Sequence, residues 1–304
     1  MRTPNVTKTL QWTALVVVLA IISALLAALF MQQREYRTEA AVAQAAQSAE
    51  AAPEPSSSPT ASASAEEADK EADKTADEEA DKTADEEADK AGAAVKIAAM
   101  DVVNGLDNPV ISVLGDSTSD SSGEWVYRWA EKLGQDATVV VHTWNPEADD
   151  WFPQTRQYGQ GERTITIWNG SEAGTTPQAP LAQEDLRQPE PSHLTILNYG
   201  HNGSPDEVES ALTELLEGLG DRGEDVAPVV LTAQNPTTGQ EAETSDANRD
   251  LMREAAKEHN LPVIDVHAAF ADSEDWKTLL ADSIHPNEQG QQLWADTVSA
   301  FYAG

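Results

Sequence analysis

From residue 109 onward, short apolar runs alternate with longer segments whose apolar residues recur at helical spacing. Segments of the first kind predict strands at Val110–Leu114, Ala137–Trp144, Thr164–Trp168, His193–Tyr199, Pro228–Gln234 and Leu261–Val266. Segments of the second kind predict helices at Glu124–Leu133, Asp206–Leu219, Asp246–His259 and Glu288–Phe301. Ser204, followed by a proline and two acidic residues, indicates the start of the second helix. Such alternation is typical of a parallel sheet with helices on both faces.

A different pattern occupies the amino-terminal end. Residues 14–31 carry no charge, and as a helix they would span about 27 Å, close to the thickness of a hydrocarbon core. Trp12 and Tyr36 flank this run as interfacial anchors would. We therefore expect a transmembrane signal-anchor helix at 14–31, preceded by a short cytoplasmic segment, 1–13.

The sequence also indicates an orientation for this helix. Arg2 and Lys8 precede the span, which favours a cytoplasmic amino terminus and a domain outside the membrane. The expected protein is single-pass, in the cell membrane, with its folded domain extracytoplasmic. A small-residue pattern at 41–43 keeps open the alternative that a signal peptide is cleaved and the protein is secreted.

Residues 32–94 form a linker rich in Ala, Glu, Asp and Lys. Within it an eight-residue unit is repeated, at 76–83 and again at 84–91. No apolar stripe accompanies these charges, so a packed helix is not expected, and we interpret the segment as a disordered, self-repelling spacer. The folded domain is then expected at 95–304.

Charge and cysteine content exclude several classes of function. The whole chain has a formal net charge of −34, and residues 91–304 alone hold 36 acidic and 11 basic side chains. A domain this acidic is not expected to bind nucleic acid or to dock its surface on an anionic bilayer. Because the chain has no cysteine, disulfides, thiolate metal sites and cysteine nucleophiles are excluded.

Two short motifs suggest nucleophilic chemistry. Ser117 follows Gly115 and Asp116 at the end of the first predicted strand, where an open α/β sheet places its reactive groups. Asp282 precedes His285 by three residues, close enough to hold one ring nitrogen so that the other can take a proton from a serine hydroxyl. Each motif alone is also typical of an ordinary loop.

Two further loops follow predicted strands and contain possible oxyanion donors. Gly174 offers a backbone amide that a ligand can approach closely, and Asn202 offers a side-chain amide. Gly170 lies in the same loop as Gly174 and is an alternative for the first donor.

Taken in order, these motifs resemble those of the SGNH hydrolases, the GDSL-like lipase/acylhydrolase family, over roughly residues 109 to 301. The resemblance implies a flavodoxin-like three-layer α/β/α sandwich with about five parallel strands. It implies that Ser117 is the nucleophile, that Asp282 and His285 complete a triad, and that Gly174 and Asn202 help to bind the oxyanion. No metal or cofactor is implied.

The chain departs from the family pattern at three places. Thr118 stands where leucine is usual, Gly203 where aspartate is usual, and Glu172 is an unusual neighbour of the oxyanion glycine. The expected function is hydrolysis of short-chain O-acyl esters, on a small molecule or a glycan, by a monomeric catalytic domain. Alternatives are a non-catalytic module that binds cell-wall glycan, and a lipase acting on longer acyl chains.

Overall fold

The computed structural model describes residues 90–222 and 227–303, which are built around an eight-stranded sheet. Its strands are β1 (Val110–Gly115), β2 (Thr138–Asn145), β3 (Asp150–Trp151), β4 (Arg156–Tyr158), β5 (Thr164–Asn169), β6 (Leu194–Asn198), β7 (Val229–Ala233) and β8 (Val263–Asp265). The helices are α1 (90–105), α2 (Trp125–Leu133), α3 (Gln178–Leu181), α4 (Pro205–Gly220), α5 (Ala242–Glu258), α6 (Val266–Ala271) and α7 (Glu288–Ala303). All the strands and helices predicted from residue 109 onward are present.

The parallel part of the sheet is larger than expected. Six of the described strands are parallel, in the order β2-β5-β1-β6-β7-β8, where about five were expected. Without β2, the remaining five have the order 2-1-3-4-5 of flavodoxin-like folds. The sixth strand is stabilised because Val139 and Val141 of β2 are buried in the same apolar cluster as Ile165 and Ile167 of β5.

Two short strands protect the free edge of β2. Both β3 and β4 run antiparallel to it, with Trp151 opposite Trp144 and Arg156 opposite Val141. They belong to a segment, residues 146–163, in which the apolar pattern did not predict a strand. The segment is largely polar, and its two strands have only two and three residues. Pairing satisfies backbone groups that an edge strand would otherwise expose.

Helices cover both faces of the sheet and enclose two apolar clusters. On one face α1, α2, α6 and α7 pack on alternate residues of the strands, such as Ile111 and Val113 of β1. On the other face α4 and α5 bury Leu212, Leu215 and Met252 against Leu197. This alternation agrees with the period-two geometry of a strand. The result is the α/β architecture with a mostly parallel sheet that the sequence predicted.

The start of α4 follows its sequence signal. The hydroxyl of Ser204 accepts a hydrogen bond from the amide of Glu207, whose side chain in turn accepts from the amide of Ser204. Pro205 occupies the first turn, where a missing N–H has no cost. This capping box confirms the predicted helix start.

The predicted boundary at residues 94 and 95 is wrong in one respect. Residues 90–94 were assigned to a disordered linker, yet they belong to helix α1, which continues to residue 105. Ala99, Val102 and Val103 form a helically spaced stripe on α1 that is buried against the core. That packing stabilises a helix whose preceding charged residues offered no sign of it.

The remaining predictions about the amino-terminal region fall outside the described residues. They concern the segment 1–13, the helix 14–31 and most of the linker 32–94. Among the residues that the structure does describe, no helix has the length and apolar character needed to cross a bilayer.

A stacked pair of tryptophans holds α2 against α7. The rings of Trp125 and Trp294 are parallel within 2°, with centroids 6.0 Å apart, and both side chains are fully buried. We expect Trp294→Ala to lower the free energy of unfolding by about 3–5 kcal/mol, because it removes buried area and leaves a cavity. Urea denaturation of residues 90–304 measures this. The control is Gln289→Ala, at an exposed position on the same helix, which should change the free energy of unfolding by less than about 0.5 kcal/mol. An equal loss of stability in both variants would contradict a stabilising role for the tryptophan pair.

Candidate active site

Ser117 lies just beyond the carboxyl end of β1, in a turn organised by its neighbour Asp116. The buried carboxylate of Asp116 accepts hydrogen bonds from the amide and the hydroxyl of Thr118, at 3.0 and 2.8 Å. Gln234, beyond β7, donates to both oxygens of the same carboxylate. Because the residues on either side of it are fixed, the half-buried Ser117 side chain is held at the sheet edge.

The structure brings Ser117, His285 and Asp282 into one hydrogen-bonded series. The Ser117 hydroxyl is 2.9 Å from His285 Nε2, although the two residues are 168 positions apart in the chain. His285 Nδ1 is 2.9 Å from Asp282 Oδ2. The three residues predicted from the short motifs therefore meet in the arrangement that a nucleophile, a base and an orienting acid require.

The surroundings of Asp282 keep it ionised. Partial burial acts to raise the pKa of Asp282, but the amides of His285 and Ile284 donate to its carboxylate at 2.7 and 2.8 Å. These bonds and the imidazole outweigh burial and lower the pKa of Asp282 to about 2. A carboxylate that stays charged holds the proton of His285 on Nδ1 and leaves Nε2 as an acceptor for the Ser117 hydroxyl.

The two glycines proposed as oxyanion donors differ in what their amides do. Gly170 donates its amide to the carbonyl of Val113 at 2.8 Å, which continues the sheet pairing. Gly174 has a positive φ of 75°, is exposed, and its amide has no acceptor among the described residues. Of the two alternatives, only Gly174 therefore has an amide free to bind a ligand oxygen.

Asn202 lies in the loop after β6, next to the carboxylate of Asp116. Its side-chain amide is 3.5 Å from an oxygen of Asp116, and its carbonyl accepts from the side chain of Asn248. The contact with Asp116 orients the Asn202 side chain and leaves its second N–H free for a ligand. The structure thus places Asn202 beside the turn that contains Ser117.

The loop that carries Gly174 is held by an arginine that the sequence analysis did not identify. Arg187 is buried, pairs with Glu172 and donates to the carbonyl of Gly170. The amide of Glu172 donates to Gly115, which joins this loop to the end of β1. Glu172, an unusual residue for the family at this position, therefore has a structural partner that explains it.

Further polar residues beneath the site were also missed. Asn235 donates to the carbonyl of Ile284 at 2.9 Å and lies 3.2 Å from the ring of His201. Asn198 donates to the hydroxyls of Thr118 and Ser119. The available signal was a polar residue directly after a buried apolar run, which marks the carboxyl end of a parallel strand.

An open α/β sheet with serine, histidine and aspartate in series at its carboxyl edge has the architecture of the serine hydrolases. The model of the GDSL-like Lipase/Acylhydrolase family matches residues 113–293, more than half of the chain. The chain belongs to this family. A search of curated proteins found no match.

The chain is also similar to several solved structures. A member of the lipolytic G-D-S-L family from Veillonella parvula DSM 2008 is 16% identical, with 63% of this chain and 96% of that chain covered and a TM-score of 0.46. The lipase/acylhydrolase from Enterococcus faecalis is also 16% identical, with 64% and 96% covered and a TM-score of 0.49. An acetyl xylan esterase is 14% identical, with 63% and 98% covered and a TM-score of 0.47.

The half-buried carboxyl of Glu124, close to the site, predicts a dependence of stability on pH. Burial, with a smaller contribution from Asp120 and Asp116, raises the pKa of Glu124 to about 8, although the Ser121 amide donates to it. Between about pH 4.5 and 8 the Glu124 carboxyl therefore binds more protons in the folded chain than in the unfolded chain, and its contribution to stability falls as the pH rises. Glu124→Gln keeps an acceptor for Ser121 and removes the charge.

We expect Glu124→Gln to raise the Tm by at least about 3 °C at pH 8 and to change it little at pH 4.5. Thermal unfolding followed by circular dichroism across this range measures the effect. The exposed Glu214→Gln on α4 is the matched control and should leave the pH profile unchanged. Parallel pH profiles for wild type and Glu124→Gln would contradict a raised pKa.

Proposed function

We propose that this protein is a serine esterase that removes short acyl groups from oxygen through an acyl-enzyme intermediate. The observation that carries the proposal is the series from Ser117 to His285 to Asp282, with 2.9 Å at each step. A binding module of this fold would have no need for a serine aligned on a histidine whose other nitrogen is held by an ionised acid.

In the first half of the proposed reaction, His285 Nε2 takes the proton of the Ser117 hydroxyl, and Oγ bonds to the ester carbonyl carbon. The carbonyl π pair moves to oxygen and forms a tetrahedral oxyanion. When the pair returns, the bond to the alcohol oxygen breaks, and His285 gives its proton to the departing alcohol. Ser117 then carries the acyl group.

In the second half, water repeats these steps on the acyl-enzyme. His285 takes a proton from water as the water oxygen bonds to the acyl carbon, and the bond between that carbon and Ser117 Oγ then breaks. The proton returns to Oγ, and a carboxylic acid is released. Throughout, Asp282 stabilises the imidazolium that forms in each step, because its carboxylate remains charged.

The proposed oxyanion site uses groups whose hydrogen-bonding capacity is free. Within the described residues, the amides of Ser117 and Gly174 have no acceptor, and one N–H of Asn202 is unoccupied. Donors held in place before the reaction stabilise the developing charge without reorganisation. The Arg187–Glu172 pair would support this site, because it holds the loop from which the Gly174 amide projects.

Ser117→Ala should lower kcat for a p-nitrophenyl ester by about 10⁴-fold or more, without loss of the fold. Because the triad acts as a unit, Ser117→Ala combined with His285→Ala should cost little more than either change alone. Steady-state kinetics with circular dichroism measure both. Ser210→Ala, exposed on α4, is the control and should retain wild-type rates. Losses that multiply in the double variant would contradict a shared mechanism.

We also propose that residues 14–31 anchor the enzyme to the cell membrane with the catalytic domain outside. The basis is the sequence: an uncharged run long enough to span a bilayer. The full chain should sediment with membranes and stay there in high salt, whereas residues 32–304 should be soluble. Release of the full chain into the medium with a new amino terminus near residue 43 would instead indicate a cleaved signal peptide.

A further inference from the structure

A cleft of about 500 Å³ opens between the nucleophile turn and the segment 146–163. One wall is Asp120 and Ser122 from the turn after Ser117, and the floor is Tyr127 of α2 with Thr143 of β2. The opposite wall belongs to the inserted segment and consists of Phe152, Gln154, Thr155 and Arg156. The cleft therefore joins a catalytic loop to the part of the chain that adds two antiparallel strands to the sheet.

The cleft lies directly beside the proposed reaction centre. Asp120 is three residues beyond Ser117, its carboxylate accepts from the hydroxyl of Ser121, and it lies near the amide of Ala173, the neighbour of Gly174. A group seated against Asp120 is thus next to both the nucleophile turn and the oxyanion loop. A substrate whose ester carbonyl lay on Gly174 would extend into this space.

The lining favours a polar ring over a long acyl chain. Apart from the rings of Phe152 and Tyr127, the residues that line the cleft carry hydroxyl, amide or charged groups. Phe152 is 41% exposed, which leaves its ring available to a ligand. An exposed aromatic face with hydrogen-bonding groups around it suits a hydroxyl-bearing ring, whose C–H face packs on the aromatic.

Arg156 gives the cleft a guanidinium that makes no ion pair with another described residue, although the carboxylate of Asp120 lines the same cleft. Every other arginine of the described residues makes a hydrogen bond or an ion pair within the chain: Arg128, Arg163, Arg187, Arg222, Arg249 and Arg253. Arg156 makes neither, and its guanidinium lies 5.9 Å from the centre of the Tyr127 ring. In a domain with so large an excess of acidic groups, a guanidinium without an anionic partner is available to an anionic ligand.

We propose that this cleft binds the alcohol half of the substrate, a sugar ring that carries an anionic group held by Arg156. The inference rests on the proposed esterase function and specifies its substrate class: an O-acylated acidic sugar, with carboxylate or phosphate as the anion. Phe152 packs on the ring, and the hydroxyl and amide groups of the lining bind its hydroxyls. The short acyl group needs little room and remains at the oxyanion site.

Turnover of matched esters tests the specificity. The probes are O-acetylated methyl glucoside, O-acetylated methyl glucuronide and O-acetylated glucose 6-phosphate, so that the last two distinguish carboxylate from phosphate. Wild type should prefer one anionic ester over the neutral ester, and Arg156→Gln should lower that ratio of kcat/KM by about tenfold. Arg156→Lys should restore part of it, and high salt should reduce the wild-type preference. Arg253→Gln removes the same charge far along α5 and should leave the ratio unchanged.

Binding without turnover separates this inference from the esterase proposal. Ser117→Ala should bind methyl glucuronide or glucose 6-phosphate more tightly than methyl glucoside in an NMR titration, and addition of Arg156→Gln should remove the difference. Equal binding of all three, with turnover of acetyl esters intact in wild type, would overturn the inference alone. Binding that depends on Arg156, in a wild-type chain that hydrolyses no ester, would overturn the esterase proposal and leave the anion site.

Discussion

The buried carboxylate of Asp116 is the group on which the geometry of the candidate site depends. A carboxylate removed from water is costly unless donors surround it. Here the donors come from separate parts of the chain: Thr118 from its own turn, Gln234 from the end of β7, and Asn202 from the loop after β6. Satisfying one buried charge therefore brings three loops into register around Ser117.

Carboxyl groups near the site differ in their pKa because their environments differ. Asp282 keeps a low pKa of about 2, since the two amides and the imidazole that donate to it together outweigh the effect of its burial. Glu124 has a pKa of about 8, because it is largely desolvated and other carboxylates lie nearby. The charged acid is the one in contact with His285, where a negative charge serves the proposed mechanism. The raised pKa of Glu124 keeps that acid neutral to a higher pH than an ordinary glutamate.

The insertion between β2 and β5 serves the sheet and the proposed substrate site together. Its two strands pair with the edge of β2, which protects backbone groups that would otherwise be open to other chains. The same pairing fixes Arg156 opposite Val141 and holds Phe152, whose amide donates to the carbonyl of Thr143. Arg156 therefore lies in a strand, and Phe152 is hydrogen-bonded to one. Both residues that the proposal assigns to specificity are held by the sheet.

Local patterns in the sequence were sufficient to predict much of this protein. Apolar periodicity located the strands and helices, and the Ser204 cap located the start of α4, because these features depend on neighbours within a few residues. The spacing of Asp282 and His285 predicted their contact for the same reason. Only the sheet order, however, placed Ser117 beside a histidine 168 positions away. The amide of Gly170 is used by β1, which leaves Gly174 as the free donor. Packing of Ala99, Val102 and Val103 on the core stabilises the helix that begins at residues 90–94. Both features depend on partners distant in the chain. The cleft that Arg156 lines likewise exists only once the insertion folds against β2, because a cavity is a property of the assembled surface.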